Sequence, residues 1–270
     1  MLKDITIGQY FPGSSFLHRL DPRIKIILTI AYIVMLFVVS NAVGFLVGIG
    51  LLAVCYAVSK IPAKMMFKGI KPIIPIVIFT GILNLFFVSG TPIFEWGFFK
   101  ITYEGLRLAV IMAIRILALI AGASLLTYTT SPIELTDAIE SLLKPLKALR
   151  FPVHELAMMM TIALRFIPTL IEETDKIMSA QKARGADFES GNLLHRAKAL
   201  VPILIPLFIS AFRRADDLAM AMECRCYHGG EGRTRMKQLR LGAIDLYGSL
   251  IVTACIAAVV CINLFVPAPF

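Results

Sequence analysis

The chain has 270 residues, of which 58% are hydrophobic and only 17% charged, with a mean hydropathy of +0.80. A soluble domain of this length does not carry so much apolar surface, so composition excludes a water-soluble enzyme and places the protein in a lipid bilayer. The formal net charge of +9 argues for no nucleic-acid partner here, because in a multi-spanning protein surplus Lys and Arg hold loops on the cytoplasmic side.

Residues 1–23 are mixed and polar, with a Pro12-Gly13 turn and then Leu20-Asp21-Pro22-Arg23. Asp21 suits an N-cap and Pro22 the first helical position, so a helix is expected from Pro22. From Ile24 to Ser40 the chain is apolar and, with its flanks, reaches the roughly 20 residues that a crossing needs. Arg19, Arg23 and Lys25 precede it but no small-residue cleavage site follows, so it reads as a span and not a signal peptide. Val43 to Ser59 is a second run, with Gly44 and Gly48 spaced for close helix approach. Lys60, Lys64, Lys68 and Lys71 form an expected cytoplasmic loop, which puts the amino terminus on that side as well. These lysines can also meet anionic lipid. A third span, about Pro72 to Ser89, is expected to kink at Pro72 and Pro75. Residues 90–103, with Glu95, Trp96, Lys100 and Tyr103, read as a loop on the outer face. In the fourth span, roughly Gly105 to Tyr128, Arg107 can snorkel near Glu104. Arg115 is deeper, at an insertion cost of ~2.5–3.5 kcal/mol, and must face protein, water or a counter-charge.

From Thr129 to Arg240 the charge density rises over helical patterns with large apolar faces, which reads as a cytoplasmic region along or partly in the membrane surface. Ser131-Pro132-Ile133-Glu134 opens a helix to about Leu149, bent at Pro145. Two longer amphipathic segments follow. Pro152 to Gly185 repeats apolar residues at steps of three and four, with Glu155, Arg165, Glu172, Glu173 and Lys176 opposite, and closes on Ala183-Arg184-Gly185. Pro202 to Cys226 does the same, with Arg213, Asp216, Asp217 and Glu223 turned away, and closes on Cys224-Arg225-Cys226. Asp175 and Asp216 each stand nine residues before the terminal arginine, so the segments read as copies of one design, separated by Ala186 to Ala199. Gly229, Gly230 and Gly232 with Arg233, Arg235, Lys237 and Arg240 form a basic loop. A last span, Leu241 to Val266, leads outward, giving five crossings and an external carboxyl terminus. The division expected is 1–130 with four spans, 131–240 cytoplasmic, and 241–270 with the last span.

No catalytic set stands up. His154-Glu155 opens a zinc-protease motif, but Met158 occupies the place of the second histidine. Cys224 and Cys226 point apart on a helix and offer, with His228, only three ligands, so no metal is expected. Of the five cysteines, Cys55, Cys255 and Cys261 lie in apolar stretches, and the odd number implies no disulfide framework. A phosphate-binding loop is absent, and no cofactor is expected. A cation in a helix's last turn is stabilised by the macrodipole by roughly 0.3–1 kcal/mol, which would account for Arg184 or Arg225 alone. Two related helices that end alike favour a second reading, in which both arginines are docking pegs: a guanidinium fork seats bidentately on a partner's carboxylate and the rigid helix behind it transmits displacement. Met158, Met159, Met160, Met220 and Met222 suit a surface that repacks against several partners, as well as ordinary gap-filling.

Tyr10, Pro12-Gly13, Leu20-Asp21-Pro22-Arg23 with Lys25, Ala183-Arg184-Gly185, and Arg225 followed by Tyr227, Gly229, Gly230 and Arg233 resemble the transmembrane T component of energy-coupling factor transporters, over nearly the whole chain. The resemblance implies an all-α, L-shaped, multi-pass protein of the prokaryotic plasma membrane with about five spans and long amphipathic cytoplasmic coupling helices. It implies a non-catalytic subunit that links ATP hydrolysis by two ABC-type ATPase subunits to vitamin or micronutrient uptake through a membrane-embedded substrate-binding S component. Arg184 and Arg225, with Ala183, Gly185, Cys224 and Cys226, become the ATPase-docking motifs, and the methionines contact the S component. The second motif departs from Ala-Arg-Gly, and without its glycine the helix is expected to run on toward Gly229. The rival class, a stand-alone secondary transporter, needs ionisable groups near the midplane and an inverted repeat of spans; only Arg115 qualifies.

Overall fold

A computed structural model describes residues 10–39, 41–96, 99–188, 192–230, 239 and 241–265. The chain forms two compact units, one of Gly8–Ala138 with Leu239–Phe270 and one containing Ile139–Gln238.

In the first unit a short α1 (Phe16–Arg19) precedes α2 (Pro22–Val38). The start of α2 is set locally: Asp21 Oδ1 accepts the Arg23 N–H at 2.9 Å and Pro22 fills the first position. The chain then returns in α3 (Ala42–Ser59), and Gly48 does what its spacing anticipates. A Cβ there would stand 3.1 Å from the Leu36 side chain, so only glycine lets the backbones approach this closely without a shift.

The lysine stretch is not a loop. It is helical from α4 (Ala63–Ile70) through a 3-10 turn, Lys71–Ile73, into α5 (Ile74–Phe87). Lysine is a good helix former, and Pro72 and Pro75, which lack the N–H groups for the carbonyls four residues back, tighten the ladder at that point instead of ending it. Residues 90–103 also differ from expectation: β1 (Pro92–Trp96) and β2 (Phe99–Thr102) pair as an antiparallel hairpin. Its last residue, Thr102, caps α6 (Tyr103–Thr129), the hydroxyl accepting from Gly105 N–H at 3.2 Å.

Helix α2 sits at the centre of this unit, and α10 (Ala243–Phe265) lies parallel to it. At one end Asp245 Oδ1 accepts the Asp21 N–H; at the other Asn263 Nδ2 donates to Val38 O at 2.8 Å. Helix α6 runs antiparallel, with Lys25 Nζ donating to Thr129 O and Arg115 Nη2 to Val39 O at 3.1 Å. Arg115 thus meets the protein requirement that its depth imposes: it serves a carbonyl at the end of α2 and lies 5.1 Å over the Phe45 ring. The core joins Tyr32, Met35, Leu36 and Val39 to Phe45, Ala118 and Val259.

Among the described residues five helices are long and apolar enough to cross a membrane: Ala42–Ser59, Ala63–Phe87, Tyr103–Thr129, Val153–Ala183 and Ala243–Asn263. The number matches expectation but the set differs. Val153–Ala183, read as a surface helix, qualifies, whereas the Ile24 to Ser40 stretch forms only the 17-residue α2, which closes at Val39. Outward side chains such as Leu46, Phe87 and Leu250 are 63–81% exposed in this chain alone, as lipid-facing positions require.

Helix α7 (Pro132–Leu143) spans the boundary between the units and is capped as expected, Ser131 Oγ accepting the Glu134 N–H. A 3-10 turn, Lys144–Leu149, follows where Pro145 was expected to bend the helix. The second unit is built on α8 (Val153–Ala183) and α9 (Leu193–Glu223). Helix α9 begins before Pro202 and passes through Pro202 and Pro206, since a proline bends a helix held by other contacts without ending it. Gly232 and the basic residues Arg233, Arg235, Lys237 and Arg240 lie outside the described residues, as does the end of the expected last span at Val266.

Candidate functional site

The two arginine-ended helices stop in the same way. At the end of α8 the Gly185 N–H reaches Lys182 O at 3.0 Å and the Ala186 N–H reaches Gln181 O at 3.0 Å, with Gly185 at φ +88°. This is a Schellman closure, and Arg184 is the residue just before the left-handed one. At the end of α9 the Cys226 N–H reaches Glu223 O at 2.8 Å and the Tyr227 N–H reaches Met222 O at 3.1 Å, with Cys226 at φ 54°. The same closure places Arg225 just before the left-handed residue. The expected run-on toward Gly229 does not occur: two terminal hydrogen bonds outweigh the roughly 1–2 kcal/mol that a Cβ costs in this conformation. Arg184 and Arg225 are both exposed, as are Ala183, Gly185, Cys224 and Cys226.

Helices α8 and α9 pack antiparallel over part of their length. Glu173 Oε2 accepts from Arg214 Nη2 at 2.7 Å, and Met158 and Ile162 of α8 face Leu218 and Met222 of α9 across a cavity of about 390 Å³. Arg225, Cys226 and Tyr227 complete its wall. Of the five methionines, Met158 and Met222 are therefore brought together, whereas Met159 and Met220 are 56% and 65% exposed; Met160 is half-buried. Further along α9, Leu204, Ile205, Phe208, Ile209 and Phe212 form one exposed apolar stripe, each 46–68% accessible.

The sequence marks His154 only as part of an incomplete metal-ligand motif. In the structure its Nδ1 lies 3.2 Å from Glu140 Oε1, which ties α7 to α8, and its ring backs directly onto Gly230 after α9. No local pattern reveals this pairing. His228, the third candidate ligand beside Cys224 and Cys226, donates through Nδ1 to Cys226 O at 2.8 Å.

The Asp21-Pro22-Arg23 motif with Lys25 builds a polar staple in the first unit. Asp21 and Asp245 are each 6% exposed. Asp21 holds Arg23 Nη2 at 2.8 Å, Arg23 reaches Leu239 O, and Asp245 takes the N–H groups of Asp21 at 2.6 Å and Gly242 at 2.8 Å. Burial works against a charged Asp21, but the Arg23 hydrogen bonds and the charges of Arg23 and Lys25 together hold its carboxyl below its ordinary value of 3.8.

Apolar crossings, a buried polar staple at one end of them and two long amphipathic helices closed on exposed arginines define a polytopic α-helical membrane protein with paired helical arms. Residues 13–236 match the family described as "Cobalt transport protein", CbiQ. The chain is 61% identical over 246 residues to the energy-coupling factor transporter transmembrane protein EcfT of Ruminiclostridium cellulolyticum, covering 91% of this chain and 92% of that one. It is 58% identical over 266 residues to EcfT of Clostridium kluyveri (98% and 97% covered) and 51% identical over 268 residues to EcfT of Acidaminococcus fermentans (99% and 100% covered). The chain belongs to the EcfT family, the transmembrane T components of energy-coupling factor transporters, and is a multi-pass membrane protein.

Proposed function

We propose that this T component is non-catalytic and couples two ABC-type ATPase subunits, docked at Arg184 and Arg225, to an S component that holds a vitamin or other micronutrient. The observation that carries this reading is the repeated closure: two exposed guanidinium groups occupy the same backbone position at the ends of two long rigid helices. Each can seat on a carboxylate of an ATPase, and its helix passes the displacement on. The exposed stripe from Leu204 to Phe212, with Met159 and Met220, offers an apolar, repackable face to the S component. In this reading residues 131–240 face the cytoplasm with the amino terminus, and the carboxyl terminus is outside, in the plasma membrane of a prokaryote. A photo-crosslinking amino acid at position 183 or 224, beside each arginine and exposed like it, tests it in native membranes: each is expected to capture an ATPase subunit, and one at lipid-facing position 46 is not. Capture of lipid alone at 183 and 224 contradicts the reading.

A further inference from the structure

We propose that the first unit holds the carbonyl-proximal part of one acyl chain of a membrane glycerophospholipid in a cavity between α2, α3, α6 and α10, the rest of the chain passing out through its mouth, with the ester carbonyl of that chain accepting a hydrogen bond from Lys25. The cavity measures about 180 Å³, and its wall is almost wholly apolar, with Leu28, Tyr32, Cys55, Leu126 and Val252 among its lining. Val54, Val58 and Ile251 also line it and are 59%, 41% and 50% exposed on helices that are long and apolar enough to cross the bilayer. Its mouth therefore opens onto hydrocarbon. A cavity with such walls is not filled by water, and an empty one forfeits dispersion contacts on every side.

The polar end selects the occupant. Lys25 is 6% exposed, lines the cavity, and forms no ion pair among the described residues. Its ammonium has three donors. Two are used, on His18 O at 3.2 Å and Thr129 O at 2.8 Å. The third has no acceptor among the described residues, and a buried donor left in that state is costly. A free anion fits poorly, because Asp21, Asp245 and Glu134 already supply negative charge around this lysine. A neutral ester carbonyl meets the third donor without adding charge, and the chain attached to it is the group that the apolar wall accommodates. Lys25 stands in the first turn of α2, beside the polar staple, as the boundary between headgroup and hydrocarbon requires. The site is independent of where any ATPase docks.

The test uses the full chain in phosphatidylethanolamine–phosphatidylglycerol vesicles containing a small fraction of phosphatidylglycerol with a diazirine on one acyl chain. After illumination, labelled peptides are mapped by mass spectrometry. The expected result is labelling of Leu28 and Val252 severalfold above that of Leu46, with the labelling of both abolished by Cys55→Trp and that of Leu28 by Val252→Phe, while labelling of Leu46 is unchanged. Labelling of Leu28 and Val252 no stronger than that of Leu46, or insensitive to whichever filling variant folds, overturns the proposal. So does equal labelling of these positions by a free diazirine fatty acid that competes the phospholipid away.

Discussion

Arg184 and Arg225 occupy the same backbone position at the ends of α8 and α9, each preceding the single left-handed residue that closes its helix, Gly185 in one and Cys226 in the other. The equivalence survives the loss of glycine because the closure is fixed by hydrogen bonds to Met222 and Glu223. Cys226 bears the strain. Cys226→Gly is expected to raise stability by about 1 kcal/mol in a detergent melt, and Gly185→Val to lower it by a similar amount. Neither change removes an arginine. A Cys226→Gly protein that melts lower than the parent would show that the left-handed turn at Cys226 is not under strain.

The staple between the starts of α2 and α10 gives a second expectation. Asp245→Ala leaves the buried Asp21 N–H without its acceptor and strips a cap from α10, each a loss of about 1–2 kcal/mol. The melt should fall accordingly, and Asp245→Asn, which keeps one acceptor oxygen, should recover part of the loss. An unchanged melt for Asp245→Ala means that the two helices are held together elsewhere.

The same staple titrates. The folded carboxyl of Asp21 lies below its ordinary value of 3.8. A carboxyl so depressed adds stability that is complete above the unfolded value and is lost as pH falls through the folded one. The midpoint of thermal unfolding should therefore show a loss attributable to this group only below about pH 4, and Asp21→Asn should abolish that component. An Asp21→Asn protein with the same acid profile as the parent contradicts it.

Close packing of α6 on α2 depends on Gly122. A Cβ there would lie 2.6 Å from Tyr32 Cε1, which no relaxation short of moving the ring or the helix accommodates. Gly122→Val is expected to cost about 1–3 kcal/mol by overpacking, and pairing it with Tyr32→Leu should return most of that. Equal melts for Gly122→Val with and without Tyr32→Leu would place the strain elsewhere.

What could be read from the sequence was what local chemistry decides. Asp21-Pro22 and Ser131-Pro132 mark helix starts because a cap is made within three residues, and Gly44 and Gly48 announce close approach because helical spacing puts them on one face. Both arginine tips were legible for the same reason. The lysines from Lys64 to Lys71 read as a loop when their charge is set above their helix propensity, and Pro202 reads as a helix start although α9 already runs through it. Pairings across the fold were out of reach: Asp21 and Asp245 are 224 residues apart, and Arg115 finds Val39 across 76. Propensity disfavours a left-handed Cys226 and so predicts run-on, while the terminal hydrogen bonds that impose the turn appear only in three dimensions.

The central claim is tested most directly by copurification of the ATPase subunits with the chain carrying Arg184→Glu and Arg225→Glu together. The account predicts that both ATPases are lost from a protein that still inserts and melts like the parent, and that the paired Lys substitutions retain part of the complex. A tight complex that withstands both charge reversals contradicts it.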